Sequence, residues 1–360
     1  MALKDRILGK TFQTILITGG AGYIGSHCAV DLLEAGYNVV AIDNFVNSVG
    51  SSQDVLPPPL KGVEKITGKK VHFYYGDLLE KSVIQNIFQK HKIDCVIHFA
   101  AYKSVGESFH IPLNYYKNNL ISTINLLEVM EEYGCYQMVF SSSCSVYGNP
   151  ATLPITTKSP TGNATSTYGR TKYTSECILR DLSHAKSEWN IIALRYFNPA
   201  GAHNSGIIGE HPTKVAYANL MPFLGQVAIG ERQHLTVYGN DYNTVDGTGV
   251  RDYIHIMDLC SGHLAALKKI ESEHLKFKPY NLGIGKGLSV LELKNAFEEV
   301  NNVKIPHVIL PRREGDVDAL YCDASDSETE LGWKPRFDAK DMCRDYWRWQ
   351  TMNPKGYLHD

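Results

Sequence analysis

The chain has 360 residues, 43% of them hydrophobic and 21% charged, with a formal net charge of −2; that length and balance bury a full core in one large domain or two ordinary ones. A near-neutral charge with no Lys/Arg run argues against a nucleic-acid partner. No apolar run reaches membrane-spanning length and the first ten residues hold no signal-peptide core, so a cytoplasmic protein without a membrane partner is expected. Eight cysteines stand singly, with no Cys-x-x-Cys, which predicts reduced thiols and no metal site. In chain order, Ile15-Leu16-Ile17 reads as a strand. It runs into Gly19-Gly20-Ala21-Gly22-Tyr23-Ile24-Gly25, after which Ala29, Leu32 and Leu33 mark one face of a helix. The spacing Gly20-x-Gly22-x-x-Gly25 matches the dinucleotide fingerprint: a tight turn, close approach of backbone to a pyrophosphate, and close packing of helix on strand. The helix start offers free N–H groups and a positive dipole end to phosphates. Val39–Ile42 is a second strand ending at Asp43, 18 residues after Gly25. There a carboxylate takes the adenosine ribose 2′-hydroxyl and repels a 2′-phosphate, which favours NAD over NADP.

Residues 44–70, with Pro57-Pro58-Pro59, read as a long surface loop with room for one short helix. Val71–Tyr75 is a third strand ending at Gly76-Asp77-Leu78, where Asp77 suits either an adenine edge or a helix N-cap. A helix over 80–91 leads to a fourth strand, Cys95–Phe99, which opens onto Ala100-Ala101-Tyr102-Lys103. Small residues there leave room for a cofactor backbone. A long helix over 113–133, a strand over 136–143, a helix over 168–187 and a strand over 191–196 follow. Alternation of helices with near-continuous apolar strands predicts an α/β protein with a doubly wound parallel sheet of Rossmann type over residues 1–199. Beyond residue 199 the pattern breaks up, with helices near 215–229, 257–271, 289–300 and 339–352 and a strand at 251–255. Residues 200–360 are expected to form a smaller mixed α/β domain closing over the crevice, with part of 251–265 packed on the first domain.

The chemistry-bearing residues are Ser141-Ser142-Ser143 at the end of the fifth strand and Tyr168-x-x-x-Lys172 on the helix that follows. Spacing i, i+4 puts Tyr168 and Lys172 on one helix face. A free tyrosine titrates near 10 and is a poor base; a nearby ammonium and a positive nicotinamide both favour its phenolate. Tyr168 is then suited to take a proton from a sugar or alcohol hydroxyl while hydride leaves the same carbon, with Ser143 holding the oxygen or relaying the proton.

Several stretches together are similar to the extended short-chain dehydrogenase/reductase family: Thr18-Gly-Gly-Ala-Gly-Tyr-Ile-Gly25, Asp43-Asn44, Ser143 and Tyr168-x-x-x-Lys172. Others narrow the resemblance to its UDP-glucose 4-epimerase branch, also called UDP-galactose 4-epimerase. These are Phe99-Ala-Ala-Tyr-Lys-Ser-Val-Gly-Glu107, Tyr115-Tyr-Lys-Asn-Asn119, Ser141-Ser-Ser-Cys-Ser-Val-Tyr-Gly148 and Arg195-Tyr-Phe-Asn-Pro-Ala-Gly201, followed by Asn219-Leu-Met-Pro222, Gly249-Val-Arg-Asp-Tyr-Ile-His255 and Gly315-Asp316. The resemblance runs almost end to end. It implies an isomerase in which bound NAD takes hydride from C4 of UDP-glucose or UDP-galactose and returns it to the other face of a rotated 4-keto sugar.

The resemblance also implies a set of site residues. NAD contacts fall at Gly19, Gly22, Tyr23, Ile24, Asp43, Asn44, Asn47, Ser48, Asp77, Leu78, Phe99, Lys103, Asn118, Ser141, Tyr168, Lys172 and Tyr196. Catalysis falls to Ser143, Tyr168 and Lys172. The UDP-sugar falls to Asn198, Asn219, Leu220, Thr236, Tyr238, Arg251, Tyr253, Arg313 and Asp316, with Lys103, Ser143 and Tyr168 shared. Arg251 and Arg313 also suit a diphosphate on their own chemistry, because the guanidinium fork pairs with phosphate oxygens. Asn198 and Asn219 carry amides able to read a uracil edge. Leu320, four residues after Asp316, falls where the family lines the sugar pocket beside the C2 substituent, and its size predicts weak use of UDP-GlcNAc and UDP-GalNAc. The family's homodimer pairs helices equivalent to 112–133 and 168–187 into a four-helix bundle. A 4,6-dehydratase or decarboxylase of the same fold would carry an acid beside Ser143, and Cys144-Ser145-Val146-Tyr147 holds none. A silent NAD-binding protein would have lost Tyr168 or Lys172.

Overall fold

The computed structural model describes residues 12–50, 55–211, 219–313 and 316–358. Its first half alternates β1 (Thr14–Thr18), α1 (Tyr23–Glu34), β2 (Asn38–Asp43), α2 (Pro58–Thr67), β3 (Val71–Tyr75), α3 (Lys81–Lys90) and β4 (Cys95–His98). Next come α4 (Val105–His110), α5 (Pro112–Tyr116), α6 (Ser122–Glu132), β5 (Gln137–Ser141), α7 (Thr167–Ala185) and β6 (Asn190–Tyr196). The second half holds β7 (Asn198–Ala200), α8 (Leu220–Ala228), β8 (Leu235–Tyr238), β9 (Val250–His255), α9 (Ile256–Ser272), β10 (Phe277–Leu282) and β11 (Gly287–Ser289). It ends with α10 (Val290–Asn301), β12 (His307–Leu310), β13 (Ala319–Leu320), α11 (Ser325–Glu330) and α12 (Ala339–Met352).

Seven strands form one parallel sheet in the order β10-β6-β5-β4-β1-β2-β3. Its strands are buried on both faces, as their unbroken apolar runs require: Ile15–Ile17, Val39–Ala41, Cys95–Ile97 and Ile191–Leu194 are all fully buried. One face carries α1, α2 and α9 and the other α3, α6 and α7. A third core gathers Leu224, Phe297, Tyr346 and Trp349 from α8, α10 and α12. It lies against a four-stranded sheet of β11, β9, β13 and β7, with β8 and β12 as a separate parallel pair. Among the described residues no helix is long and apolar enough to cross a membrane. The eight cysteines are free thiols, seven of them buried.

Four features depart from the sequence reading. The short helix allowed for within residues 44–70 is α2, but Pro57-Pro58-Pro59, read as loop, opens it. Pro57 is its N-cap and Pro58 its first residue, where a missing N–H and a preset φ favour a helix start, Leu60 and Val63 are fully buried, and Gly68 ends it at φ 67°. Second, β10 joins the large sheet as a seventh strand beside β6; Lys278 and Pro279 obscured its pattern, and proline is tolerated because this is the sheet edge. Third, the helix expected over 113–133 is α5, a π-helical turn over Lys117–Ile121, and α6. That widened turn points Asn119 inward, where it accepts from Tyr102 N (2.8 Å) and donates to Tyr102 O (3.1 Å) and Thr171 Oγ1 (2.9 Å). Fourth, the helix expected over 215–229 runs from Leu220 to Ala228, residues 215–218 lying outside the described residues, as does Gly315.

Candidate active site

The chain leaves β1 toward β2 on one side and reaches β4 on the other, so the strand order reverses between β1 and β4 and a crevice opens at their carboxyl ends. A cleft of about 1450 Å³, its open mouth included, lies there. Of the expected cofactor contacts it is lined by Gly19, Gly22, Tyr23, Ile24, Asp43, Asn44, Asn47, Ser48, Asp77, Leu78, Phe99, Lys103, Asn118, Tyr168, Lys172 and Tyr196. Ser141 is fully buried behind it, hydrogen-bonded through Oγ to Tyr196 OH. Ser143, Asn198 and Asn219 line the same cleft. The glycine turn is shaped as its spacing requires. Gly19 has φ 69°, and a Cβ there would lie 2.9 Å from Ala100 N; one on Gly25 would lie 2.3 Å from Gly19 O. Helix α1 starts with Gly22 as N-cap and no side-chain cap, which leaves its first N–H groups facing the cleft.

Asp43 is held rigidly at the end of β2. Its Oδ2 accepts from Ala21 N (3.0 Å) and its Oδ1 from Phe45 N (2.9 Å) and Ser48 Oγ (2.7 Å). Burial pushes its carboxyl up and these hydrogen bonds oppose that. Asp77 is not a helix cap, since Glu80 precedes α3. Instead it accepts from Leu79 N (2.8 Å) and from Asn44 Nδ2 (3.0 Å), tying the ends of β2 and β3 together at the cleft.

Ser143 caps a short 3-10 turn over Cys144–Tyr147. Facing it, Tyr168 sits in the first turn of α7, whose N-cap Ser166 accepts from Gly169 N (3.1 Å). Lys172 Nζ donates to Ser141 O (2.7 Å). Burial lowers Lys172 to about 7, with Glu176 one turn on acting to raise it. Burial, then Tyr196, push the Tyr168 phenol well above its usual range, and Ser143 acts the other way. The expected lowering of Tyr168 by the Lys172 ammonium is therefore outweighed by burial in the protein itself, and that ammonium is turned to the Ser141 carbonyl. Below the site, Arg195 grips Glu176 through two bonds (Nε–Oε1 2.9 Å, Nη2–Oε2 2.6 Å), and Ser142 Oγ donates to Glu176 Oε1 (2.5 Å).

The other expected sugar-nucleotide residues do not line that cleft. Asp316 bridges Arg251 (Nη2–Oδ1 3.4 Å) and Arg313 (Nε–Oδ2 2.9 Å), and the Arg313 guanidinium stands 4.8 Å from the Tyr238 ring. Tyr253 pairs in register with Asn198; burial pushes it up to about 12, and Arg251 and Arg313 oppose that. Thr236 precedes Tyr238 on β8, and Leu220 opens α8 directly after Asn219. Leu320 pairs with Arg251 between β13 and β9 and is packed in the main core, not on the cleft wall. The sequence reading missed Phe197, Cys144 and Ser145, which line the cleft inside motifs already noted. It also missed Glu176, signalled by its place one turn after Lys172, and Glu210, which no local pattern marks.

The family model described as GDP-mannose 4,6 dehydratase matches residues 16–346. The chain is 51% identical over 347 residues to the UDP-glucose 4-epimerase of Drosophila melanogaster, covering 96% of this chain and 99% of that one. It is 50% identical over 345 residues to that of Homo sapiens, covering 96% and 98%. Among solved structures, the UDP-glucose 4-epimerase from Bifidobacterium longum in complex with NAD+ and UDP has a TM-score of 0.90 at 48% identity, covering 96% of this chain and 100% of that one. That from Stenotrophomonas maltophila, with bound NAD and formylated UDP-arabinopyranose, has a TM-score of 0.90 at 44% identity, covering 96% and 99%. With the glycine turn, Asp43, Ser143, Tyr168 and Lys172 converging on one cleft, the chain belongs to the UDP-glucose 4-epimerase family of isomerases, within the extended short-chain dehydrogenases/reductases.

Proposed function

We propose that the protein interconverts UDP-galactose and UDP-glucose with NAD retained in the cleft. The carrying observation is that Tyr168, Lys172 and Ser143 line the same cleft as the Gly19–Gly25 turn and Asp43 on one side and Asn198 and Asn219 on the other. The cradle fits a dinucleotide: an uncapped helix start, glycines whose Cβ atoms have no room, and a fixed carboxylate at the end of β2. NAD held there supplies the hydride acceptor and donor at C4 and a positive ring that offsets the burial of Tyr168. The cofactor contacts named above, from Gly19 to Tyr196, would hold it. Residues 1–199, joined by α9 and β10, form the cofactor side, and the rest of 200–360 the sugar-nucleotide side.

Tyr168 Oη takes the proton from the C4 hydroxyl and later returns one; Ser143 Oγ holds that oxygen; Lys172, charged, favours the phenolate. Arg251 and Arg313 grip the diphosphate, releasing Asp316 from one of its two partners, while the 4-keto sugar turns over. Asn198, Asn219, Leu220, Thr236, Tyr238 and Tyr253 hold the rest of the nucleotide, and N-acetylated sugars turn over only weakly. Phe109, Leu113, Ile121 and Ile124 are exposed apolar side chains on or beside α4–α6, which supports a homodimer through that face. A cytoplasmic location completes the reading.

The test supplies UDP-galactose to the purified protein together with excess UDP-glucose dehydrogenase and its NAD, and follows NADH. The same protein, denatured, is assayed for released NAD. Turnover of UDP-galactose and about one NAD per chain are expected. No UDP-glucose, or stoichiometric NADH made without the coupling enzyme, overturns the reading.

A further inference from the structure

Glu210 stands on neither side of the cleft alone. It is buried, and its Oε1 accepts from Lys103 Nζ (3.2 Å) and from Asn219 Nδ2 (2.9 Å). Lys103 leaves the end of β4 on the cofactor side; Asn219 is the N-cap residue of α8 on the sugar-nucleotide side. Both line the cleft.

The backbone that carries this carboxylate is held from behind. Trp349 Nε1 donates to Glu210 O (3.2 Å), and Tyr357 OH lies 3.1 Å from Gly209 N and 3.2 Å from Gly209 O. A Cβ on Gly209 would meet the Trp349 ring at 2.4 Å. Trp349 is fully buried, with its ring centroid 4.7 Å from that of Tyr357. Glu210 is thus a fixed point, whereas the Lys103 side chain is 46% exposed and free to sample many rotamers without it.

A carboxylate only accepts, so the Asn219 amide must turn its Nδ2 to Glu210 and leave its Oδ1 as an acceptor. Asn219 can then receive a hydroxyl donor, while Lys103 is held as the donor for an anion.

We infer that Glu210 is a positioning residue for the sugar nucleotide, fixing Lys103 and Asn219 from opposite walls of the cleft before the ligand arrives. This rests on the epimerase reading of the same cleft. Without Glu210 the two side chains must be ordered by the ligand itself, so affinity falls more than the rate of the bound complex.

The test measures steady-state kinetics with UDP-galactose on the NAD-loaded enzyme, with thermal unfolding as a check of the fold. Glu210→Ala should raise KM about tenfold while kcat stays within about threefold. Glu210→Gln is isosteric, keeps an acceptor for Asn219 and loses the ion pair; it should raise KM about threefold and covers the case in which the alanine variant misfolds. In a Lys103→Met/Asn219→Ala background, Glu210→Ala should add no more than about twofold, because the residues it acts through are gone. KM values of both Glu210 variants equal to the wild type's, or the full rise persisting in that background, overturn the role of Glu210. A wild type that makes no UDP-glucose overturns the epimerase reading instead.

Discussion

The Arg195–Glu176 pair tests how the catalytic helix is fixed. Both residues are almost wholly buried, at 2% and 0% exposure. Arg195→Met leaves the Glu176 carboxylate in the core with only the Ser142 hydroxyl, and breaking a buried pair from one side costs about 3–5 kcal/mol. The entropy of unfolding scales with length, so for 360 residues that loss lowers the melting temperature by roughly 5 °C. Glu176→Met strands the guanidinium and should cost a similar amount. The double variant removes both charges and orphans only neutral groups, chiefly Thr157 O, which Arg195 Nη1 reaches at 3.3 Å; it should cost about 1–2 kcal/mol. Tyr147 OH keeps its bond to Asn281 Oδ1 (2.7 Å) in every variant. The assay is thermal and urea unfolding of the four proteins at one fixed NAD concentration, since a bound ligand shifts apparent stability. A double variant that loses the sum of the two singles, or a single that loses under about 1 kcal/mol, refutes the reasoning.

Tyr168→Phe keeps the ring and removes the proton acceptor, so turnover should fall at least 10²- to 10⁴-fold, to order of magnitude, with NAD still bound; Lys172→Met should move the remaining pH profile upward, and an unmoved profile denies Lys172 its electrostatic role. His27, His98 and His263 are buried and pushed down to about 3, about 3 and about 4. Between these values and 6.5 the unfolded chain binds protons that the folded one refuses, so stability is lost as pH falls below 6.5, at ~1.4 kcal/mol per pH unit for each histidine. Asp31, raised to about 7 by burial, has the opposite sign and offsets one of the three; unfolding midpoints that hold steady from pH 6.5 to 5.5 would contradict this. UDP-GlcNAc and UDP-GalNAc should turn over more slowly than UDP-glucose and UDP-galactose by a factor worth about 1–3 kcal/mol. Leu320 is packed in the core, off the cleft wall, so Leu320→Ala should leave that gap unchanged, and a gap that closes in the variant would restore Leu320 as a gate.

The parts of this protein written in local patterns could be read directly from its residues. Gly20-x-Gly22-x-x-Gly25 between a strand and a helix, Asp43 at the end of the next strand, and Tyr168 with Lys172 one helical turn apart are all short-range features, and short range is where backbone sterics and periodicity act. The first six strands were legible for the same reason, being apolar runs that only a sheet covered on both faces can bury. What only the tertiary structure decided were pairings between distant segments. Phe277–Leu282 became the seventh strand because the β6 edge was open to it, a fact no window around Pro279 contains. Pro57-Pro58-Pro59 opened a buried helix where its composition suggested solvent. The ammonium of Lys172 turned to Ser141 O, and burial set the titration of Tyr168 against its expected direction, because desolvation depends on everything packed around a group. Arg251 with Asp316, and Lys103 with Glu210, came together from segments 65 and 107 residues apart. Their meaning lies in distances that loop closure and core packing set, and a residue's type and spacing do not carry those distances.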